Sequence, residues 1–168
     1  TMAALDGFGI AHAGAGRGAD AHAASFLTVK GVKVAVLGLD GIASYYWQTT
    51  ATGVGSAGLT AAALQADIGV ARAAGAQGVI VYPHWGTEYT AAPTASQRQL
   101  AHTAVDAGAD LVIGNHPHWA GAMEVYNGRP IWYALGNWNF DQNWSEPTME
   151  GITLELTFNG TRLVQARA

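Results

Sequence analysis

Short apolar runs alternate with longer segments of helical periodicity through the first two thirds of the chain. Residues 32–39, 78–82 and 110–114 are rich in Val, Ile and Leu and are bounded by turn-forming residues, which is typical of buried strands. Residues 60–74 and 94–107 space their apolar side chains as a helix does, and a glycine follows each segment. Strand–helix–strand passages in succession predict parallel strands joined by crossover helices.

The pattern changes in the last third of the chain, where Asn-Gly pairs separate short apolar segments. Residues 122–126 and 130–135 flank one such pair, and residues 152–158 and 162–165 flank another. Asn-Gly between apolar runs is the strongest short signal for a β-hairpin. We therefore predict a single α/β domain over residues 1–168, with a sheet that is parallel first and antiparallel later.

Two segments outside these elements carry weaker patterns. Residues 1–5 are typical of the interior of a helix, so we expect an upstream portion to precede them. Residues 49–58 are rich in Gly, Thr and Ala, which predicts a loop.

Composition narrows the classes of function. The 168 residues are 49% hydrophobic and 12% charged, as expected of one compact domain with a core. The formal net charge is −4 and the chain has no basic run, which gives no electrostatic basis for binding nucleic acid or an anionic membrane surface. There is no cysteine, so a metal ion would be held by histidine, carboxylate or amide groups. The chain also shows no signal segment and no apolar run of about 18 residues that would span a membrane.

Three histidines follow the predicted parallel strands, where open α/β sheets bind their ligands. His84 follows the strand 78–82, and His116 and His118 follow the strand 110–114. Pro117 favours an extended conformation at His116, and residues two apart in an extended segment point the same way. Neutral imidazole binds zinc, manganese or iron rather than calcium. Each histidine alone is typical of a hydrogen-bonded loop residue, but the three together predict a metal site.

The other histidines lie in predicted loops or helices, and we expect them to be structural or exposed: His12, His22 and His102.

Longer motifs around the three histidines resemble a known family. Residues 84–89, His-Trp-Gly-Thr-Glu-Tyr, are similar to the His-Trp-Gly-x-Glu-Tyr signature of the bacterial capsule-synthesis proteins of the CapA type, which serve poly-γ-glutamate synthesis. Residues 106–118 and 131–141 resemble two further blocks of that family, and residues 14–17 also fit. The resemblance implies a calcineurin-like metallophosphoesterase α/β sandwich with mixed sheets. It also implies a centre of two divalent metal ions, of manganese, zinc or iron.

The resemblance also implies roles for individual residues. His84, His116 and His118 correspond to metal ligands, and His84, His116 and Glu88 are the expected catalytic residues. We expect Glu88 either to orient a metal-bound histidine or to transfer a proton, with a solvated loop carboxylate as the alternative. For Asn137, turn chemistry or a hydrogen bond to a ligand is favoured over direct ligation, and Asp141 is similar.

A group of aromatic residues admits two interpretations. Core or rim packing is favoured over a polymer-binding groove for Trp85, Tyr89, Trp119, Trp138 and Trp144. The glycines at 14, 16 and 18 resemble a phosphate-binding loop only superficially, because no strand-to-helix turn follows.

The function implied by the resemblance is capsule or poly-γ-glutamate biosynthesis with a metal-dependent hydrolase-type site. The substrate would be an anionic polymer or a small molecule. Family members are exported and held at the cell surface by a membrane anchor, which would lie outside this chain. The alternative is a non-enzymatic accessory or polymer-binding subunit of the capsule machinery. A stand-alone nucleotide phosphodiesterase is disfavoured, since the sequence has no cluster of phosphate-clamping arginines.

In the family, the first metal ligands come from a segment upstream of these motifs. Asp6, Asp20 and Asp40 do not stand in matching contexts. We therefore expect the N-terminal strands of the sandwich to be missing from this chain. They would come from an N-terminal segment of the same domain, either as a companion fragment or as a part removed from the chain.

Overall fold

Ten strands and three α-helices make up the computed structural model, which describes residues 2–43, 47–160 and 162–168. In chain order they are α1 (Met2–Gly7), β1 (Ala15–Arg17), β2 (Ser25–Val29), β3 (Val32–Asp40), β4 (Val54–Ser56), α2 (Ala61–Ala73), β5 (Gly78–His84), α3 (Ala95–Asp106), β6 (Leu111–Ile113), β7 (Met123–Tyr126), β8 (Arg129–Trp132), β9 (Glu155–Asn159) and β10 (Arg162–Arg167). Single 3-10 turns lie at Gly18–His22 and Glu146–Thr148.

The centre of the fold is a six-stranded mixed sheet with the order β2-β3-β5-β6-β8-β7. Strands β3, β5, β6 and β8 run parallel, and β2 and β7 pair antiparallel at the two edges. The predicted α/β class with a mixed sheet is therefore confirmed. Two small antiparallel pairs, β1–β4 and β9–β10, accompany the sheet.

The two crossover helices pack on one face of this sheet. Leu64 and Ile68 of α2 and Ala101 of α3 are fully buried in one cluster with Leu37 and Val79 of the strands. Burying each of the larger aliphatic side chains contributes about 1.5–3 kcal/mol. Both helices begin where the sequence predicts. Thr60 and Thr94 are their N-caps, and each side chain accepts a hydrogen bond from an amide of the first turn.

The hairpin β9–β10 packs on part of the opposite face. Leu154, Leu156 and Ala166 lie against a buried cluster of Leu111, Ile113 and Trp132. Both hairpins signalled by Asn-Gly are present, with β7–β8 at the sheet edge and β9–β10 on its face. These contacts bury strands β6 and β8 on both sides, as is usual for the central strands of α/β sheets.

The structure differs from the sequence prediction at three elements. Strand β5 does not stop at Pro83 but continues through His84. Proline has no amide proton, but its carbonyl still joins the strand pairing and accepts the Asn115 amide at 3.0 Å. The predicted loop 49–58 contains the short strand β4. Strand β2 was not predicted; it joins β3 through Lys30 and Gly31, which both have positive φ.

Helix α1 agrees with the helical pattern at the start of the chain, although Thr1 lies outside the described residues. Among the described helices, none combines the length and the apolar character needed to cross a membrane.

Candidate metal centre

The three predicted histidines lie together at the carboxyl edge of the parallel strands. His84 is the last residue of β5, which pairs with β6 in the parallel direction. A bridge between His84 and Asn115 extends that pairing into the loop that carries His116 and His118. The prediction that neighbouring strands bring these side chains to one crevice is confirmed.

His84 is oriented by an asparagine side chain. Its Nδ1 donates a hydrogen bond to Asn115 Oδ1, so its Nε2 carries the lone pair. That Nε2 lies 3.1 Å from Nδ1 of His116, and the two rings meet edge to face with 4.7 Å between their centroids. One nitrogen of each ring therefore faces the same small space.

His118 is oriented in the same way by a second asparagine. Its Nδ1 donates to Asn137 Oδ1 at 2.8 Å. The Asn137 amide nitrogen donates to the Thr148 carbonyl at 2.9 Å and to Gln142 Oε1 at 3.2 Å, which fixes the direction of the amide. The lone pair of His118 is consequently on Nε2. Asn137 is a hydrogen-bond partner of a histidine, the arrangement that the sequence favoured.

Glu88 faces the open nitrogen of His118 from the neighbouring loop. Its Oε1 lies 3.9 Å from His118 Nε2, and its side chain is about half exposed. At this distance it makes an ionic contact with a protonated His118 but no hydrogen bond. Orientation of His118 comes from Asn137, and the proton-transfer role of Glu88 stays a prediction.

The backbone of the His-Pro-His segment differs from the sequence prediction. An extended conformation at His116 was wrong, because φ is +96° at His116 and +62° at His118. Positive φ at residues with a Cβ costs about 1–3 kcal/mol each and persists only where the surroundings impose it. Here the Tyr89 amide donates to the Pro117 carbonyl at 2.8 Å and the Trp85 amide to the Asn115 carbonyl at 3.2 Å. The two loops hold each other in place.

The electrostatics of the crevice favour the neutral form of His116 and the ionised form of Asp40. Burial lowers the pKa of His116, and the neighbouring His84 adds to that shift. Partial burial acts to raise the pKa of Asp40, but hydrogen bonds from the Ala43 and Ile42 amides to its carboxylate outweigh burial, so the pKa falls below its ordinary value. Neutral imidazole is the form that binds a metal.

The donor groups are divided between two positions. Within residues 2–43, 47–160 and 162–168, no three histidine or carboxylate side chains close around a single point. His84 and His116 form one pair, whereas His118 turns its Nε2 towards Glu88. Sequence reasoning identified the histidines but gave no role to Asn115, and it set Asp40 aside although Asp40 is the register partner of His84 on β3. The sequence feature that could have identified Asn115 is its position just after the predicted strand 110–114, beside His116.

The aromatic residues divide into core and rim. Trp85 is buried and donates to the Tyr133 carbonyl at 3.0 Å, as expected for core packing. The His118 ring lies between Tyr89, with centroids 5.9 Å apart, and Phe140, at 5.3 Å. The remaining members surround Tyr89 or stand exposed at the rim: Trp119, Trp144 and Trp138.

The remaining histidines are structural, as expected. His22 Nδ1 lies 2.8 Å from Asp67, and His102 Nε2 lies 2.6 Å from Glu124. His12 contacts the exposed Asp6 at 3.0 Å.

The family comparison agrees with the motifs that surround these side chains. The model of the family described as "Bacterial capsule synthesis protein PGA_cap" matches residues 1–142, which contain all three histidines and both orienting asparagines. The chain belongs to this capsule synthesis family.

Curated members of the family align with parts of the chain. It is 48% identical over 84 residues to the PGA biosynthesis protein CapA of Bacillus subtilis (strain 168), a match that covers 49% of this chain and 22% of the relative. It is 41% identical over 87 residues to the capsule biosynthesis protein CapA of Bacillus anthracis, covering 51% of this chain and 21% of that protein. A "Probable polyglutamine synthesis accessory protein" of Mycobacterium tuberculosis (strain CDC 1551 / Oshkosh) is 38% identical over 58 residues, which are 34% of this chain and 15% of that protein. The matched part thus spans about a fifth of the length of the two CapA proteins.

Proposed function

We propose that this chain carries the histidine part of a metal-dependent hydrolase site that acts in capsule polymer biosynthesis. The observation that carries the proposal is the shared orientation of His84 and His118. Each donates its Nδ1 proton to an asparagine oxygen, which leaves the lone pair of the ring on Nε2. Partners of this kind fix the tautomer and the ring direction of metal-binding histidines.

The donor set fits a divalent ion at the paired histidines. Two nitrogen ligands of one tetrahedral zinc ion, each at about 2.0–2.1 Å, lie about 3.3 Å apart. His84 Nε2 and His116 Nδ1 are separated by 3.1 Å. His118 would serve a second ion, since its free nitrogen faces a different position. Imidazole suits zinc or iron. Manganese also accepts a mixed set of imidazole and carboxylate ligands, in which the carboxylates would come from an N-terminal segment of the same domain.

Such ions, when bound, generate a nucleophile from water and stabilise charge on a phosphoryl or acyl group. The chain itself would contribute orientation and proton handling. Asn115 and Asn137 hold the rings, and Glu88 stands half exposed at the rim, where it can exchange a proton with solvent. The substrate would be an anionic polymer or a small molecule, and nucleic acid is not expected.

A second candidate function is a non-enzymatic accessory or polymer-binding subunit of the capsule machinery. The observation in its favour is the mycobacterial relative, whose name describes an accessory protein in polyglutamine synthesis. Under either function we expect the protein at the cell surface, held by a membrane anchor outside this chain. The N-terminal segment of the domain would complete the sandwich as a companion fragment or as part of a longer protein.

Metal analysis tests the proposal. The purified chain is incubated with Mn²⁺ or Zn²⁺, dialysed, and measured by elemental analysis next to His116→Ala and the control His12→Ala. We expect bound metal in the original chain and in His12→Ala, and loss of it in His116→Ala. A chain that stays metal-free, or a His116→Ala variant that binds equally, would overturn the metal site. Hydrolysis of a model phosphoester by the metal-loaded chain joined by its N-terminal segment then separates the hydrolase from the accessory subunit.

A further inference from the structure

A second cleft opens beside the histidines, on the helix-bearing side of the same sheet edge. Its volume is about 290 Å³. Two of its wall residues, Trp85 and Gly86, directly follow His84, and Thr87 precedes Glu88. The loop after β5 therefore has one side on the histidine crevice and the other on this cleft. Leu59 and Leu100 supply an apolar part of the wall.

The polar part of the cleft consists of hydrogen-bond donors at the start of α3. Thr94 is the N-cap of this twelve-residue helix, and the backbone amides of Ala95 and Ser96 make no hydrogen bond within the described part of the chain. Free first-turn amides and the positive end of the helix dipole favour an anion. Ser96 and Thr87 add hydroxyl groups to the wall.

Gln97 adds a side-chain donor to the cleft wall. Its side chain is 4% exposed, and its Oε1 accepts from the Thr94 amide at 2.9 Å and the Thr94 hydroxyl at 3.1 Å. Because a backbone amide can only donate, these bonds fix the side-chain amide with Nε2 pointing the other way. Nε2 makes no hydrogen bond to any described residue, so this donor in the cleft wall is available to a ligand.

The side-chain amide of Gln97 packs against Gly86, in the space that a side chain at position 86 would fill. A Cβ on Gly86 would lie 2.4 Å from Gln97 Nε2, and Gly86 has φ +92°. Any side chain at position 86 would therefore displace Nε2 from the cleft wall. Among the described residues, no acidic side chain lines the cleft. Asp40, next to the wall residue Gly41, already has its Oδ1 bound to the amides of Ile42 and Ala43.

We propose that this cleft binds an anionic group, a carboxylate or a phosphate on a short aliphatic stem, next to the histidine crevice. The donors are Gln97 Nε2, the Ser96 amide and hydroxyl, and the Thr87 hydroxyl, while Leu59 and Leu100 contact the stem. In this position the cleft holds a charged group of the substrate while another part of the substrate reaches the histidines. That link to substrate rests on the proposed function, whereas anion binding by the cleft does not require a metal.

The test is a titration of the metal-free, ¹⁵N-labelled chain followed by ¹H–¹⁵N correlation spectra. The probes are glutarate and inorganic phosphate, with the neutral diamide glutaramide as control. We expect saturable shifts of the Gln97 side-chain amide and of the Ser96 and Thr87 backbone amides with an anion, and none with glutaramide. Shifts with glutarate alone identify a carboxylate site, and shifts with phosphate alone identify a phosphoryl site. The absence of saturable shifts with both anions would overturn the proposal.

Three variants separate an effect of the cleft residues from an effect of net charge. Ser96→Asp places a carboxylate at the helix N-terminus, which favours the helix but repels the ligand. Gln97→Glu keeps the capping box and removes the Nε2 donor. Each should weaken anion binding by about tenfold or more. Ser96→Asp acts by charge repulsion, and Gln97→Glu acts by charge repulsion and by loss of a hydrogen-bond donor to a charged group. Gln99→Asp adds the same charge outside the cleft wall and should change the affinity less than about twofold. Equal weakening by Gln99→Asp would reduce the effect to net charge and overturn the site.

His116→Ala distinguishes this inference from the metal proposal. It lies outside the cleft wall, so anion shifts should persist in it even when metal binding is lost. Anion binding without metal binding would support the cleft proposal and overturn the metal site. Metal binding without anion binding would support the metal site and overturn the cleft proposal.

Discussion

Nε2 of His84 and Nδ1 of His116 face each other across 3.1 Å at the ends of two neighbouring parallel strands. Two protonated imidazoles at this distance would repel, and the lowered pKa of His116, caused by burial and by His84, reflects this. The neutral form of His116 is therefore favoured, and the lone pair on His84 Nε2 is directed at His116. That arrangement leads to the first prediction.

Replacing Asn115 by leucine should weaken metal binding at His84. Leucine has a similar volume but accepts no hydrogen bond, so the His84 ring loses its fixed tautomer and direction. Loss of such a partner typically lowers metal affinity about 10–100-fold. Titration with Zn²⁺ by calorimetry measures the effect. Asn115→Asp keeps the acceptor and should keep the affinity, so equal losses in the two variants would show that Asn115 does not act through His84.

The positive φ of His116 predicts an unusual order of stability. His116→Gly should be more stable than His116→Ala by about 1 kcal/mol, because the left-handed backbone costs an L-residue about 1–2 kcal/mol and costs glycine nothing. Urea unfolding of the two variants provides the comparison. At the exposed strand position Thr28 the order should reverse, with alanine the more stable. An alanine variant that is the more stable at both positions would contradict the backbone conformation.

Glu124 predicts a pH-dependent contribution to stability. It accepts from the Tyr133 hydroxyl at 2.8 Å and from His102 Nε2 at 2.6 Å. Burial acts to raise its pKa, but these two donors outweigh burial and lower the pKa below the ordinary 4.5. The stabilisation is thus present above pH 4.5 and is lost as the pH falls through the folded-state pKa.

Glu124→Gln should therefore lower the free energy of unfolding by about 1–2 kcal/mol at pH 7. The difference from the unmodified chain should shrink as the pH falls through the folded-state pKa of Glu124, because its carboxyl group then becomes protonated as well. Urea titrations at a series of pH values follow this convergence. A difference that stays constant with pH would assign the effect to packing instead.

Removing the carboxylate of Asp110 should cause a large loss of stability. Its carboxylate is 5% exposed and bonds to Arg72 at 2.6 Å, to Arg129 at 3.0 Å and to the Val79 amide at 2.9 Å. Asp110→Ala should cost about 3–5 kcal/mol, because partly buried guanidinium groups and a buried amide lose their partner. The exposed pair of Asp6 and His12 is the control, and Asp6→Ala should cost less than about 1 kcal/mol. Thermal unfolding of both variants measures the contrast, and similar losses would contradict it.

The sequence predicts those elements whose signals are local. The helices α2 and α3 were predicted within one residue at each end, because Thr caps, apolar periodicity and a following glycine all lie within the segment. Both Asn-Gly hairpins were predicted for the same reason. Strand β2 was missed because Phe26, Leu27 and Val29 are partly exposed and read as neither a buried run nor a strict alternation.

The candidate site was predictable in its residues but not in its geometry. Strand ends locate His84, His116 and His118, since parallel strands deliver their carboxyl ends to one edge. The backbone of His116 was wrongly predicted, because Pro117 biases its neighbour only weakly and contacts from the loop after β5 override that bias. The role of Asn115 depends on a partner 31 residues away, which no local pattern reveals.

The two histidines of the pair are 32 residues apart, with all of helix α3 between them. Their nitrogens meet only after α3 has docked and β5 and β6 have paired. An ion bound by this pair is therefore bound by the native chain alone, and it must raise the melting temperature in proportion to the logarithm of its concentration. An ion held by His116 and His118, which are neighbours along the chain, would also bind the unfolded chain and would raise the melting temperature much less.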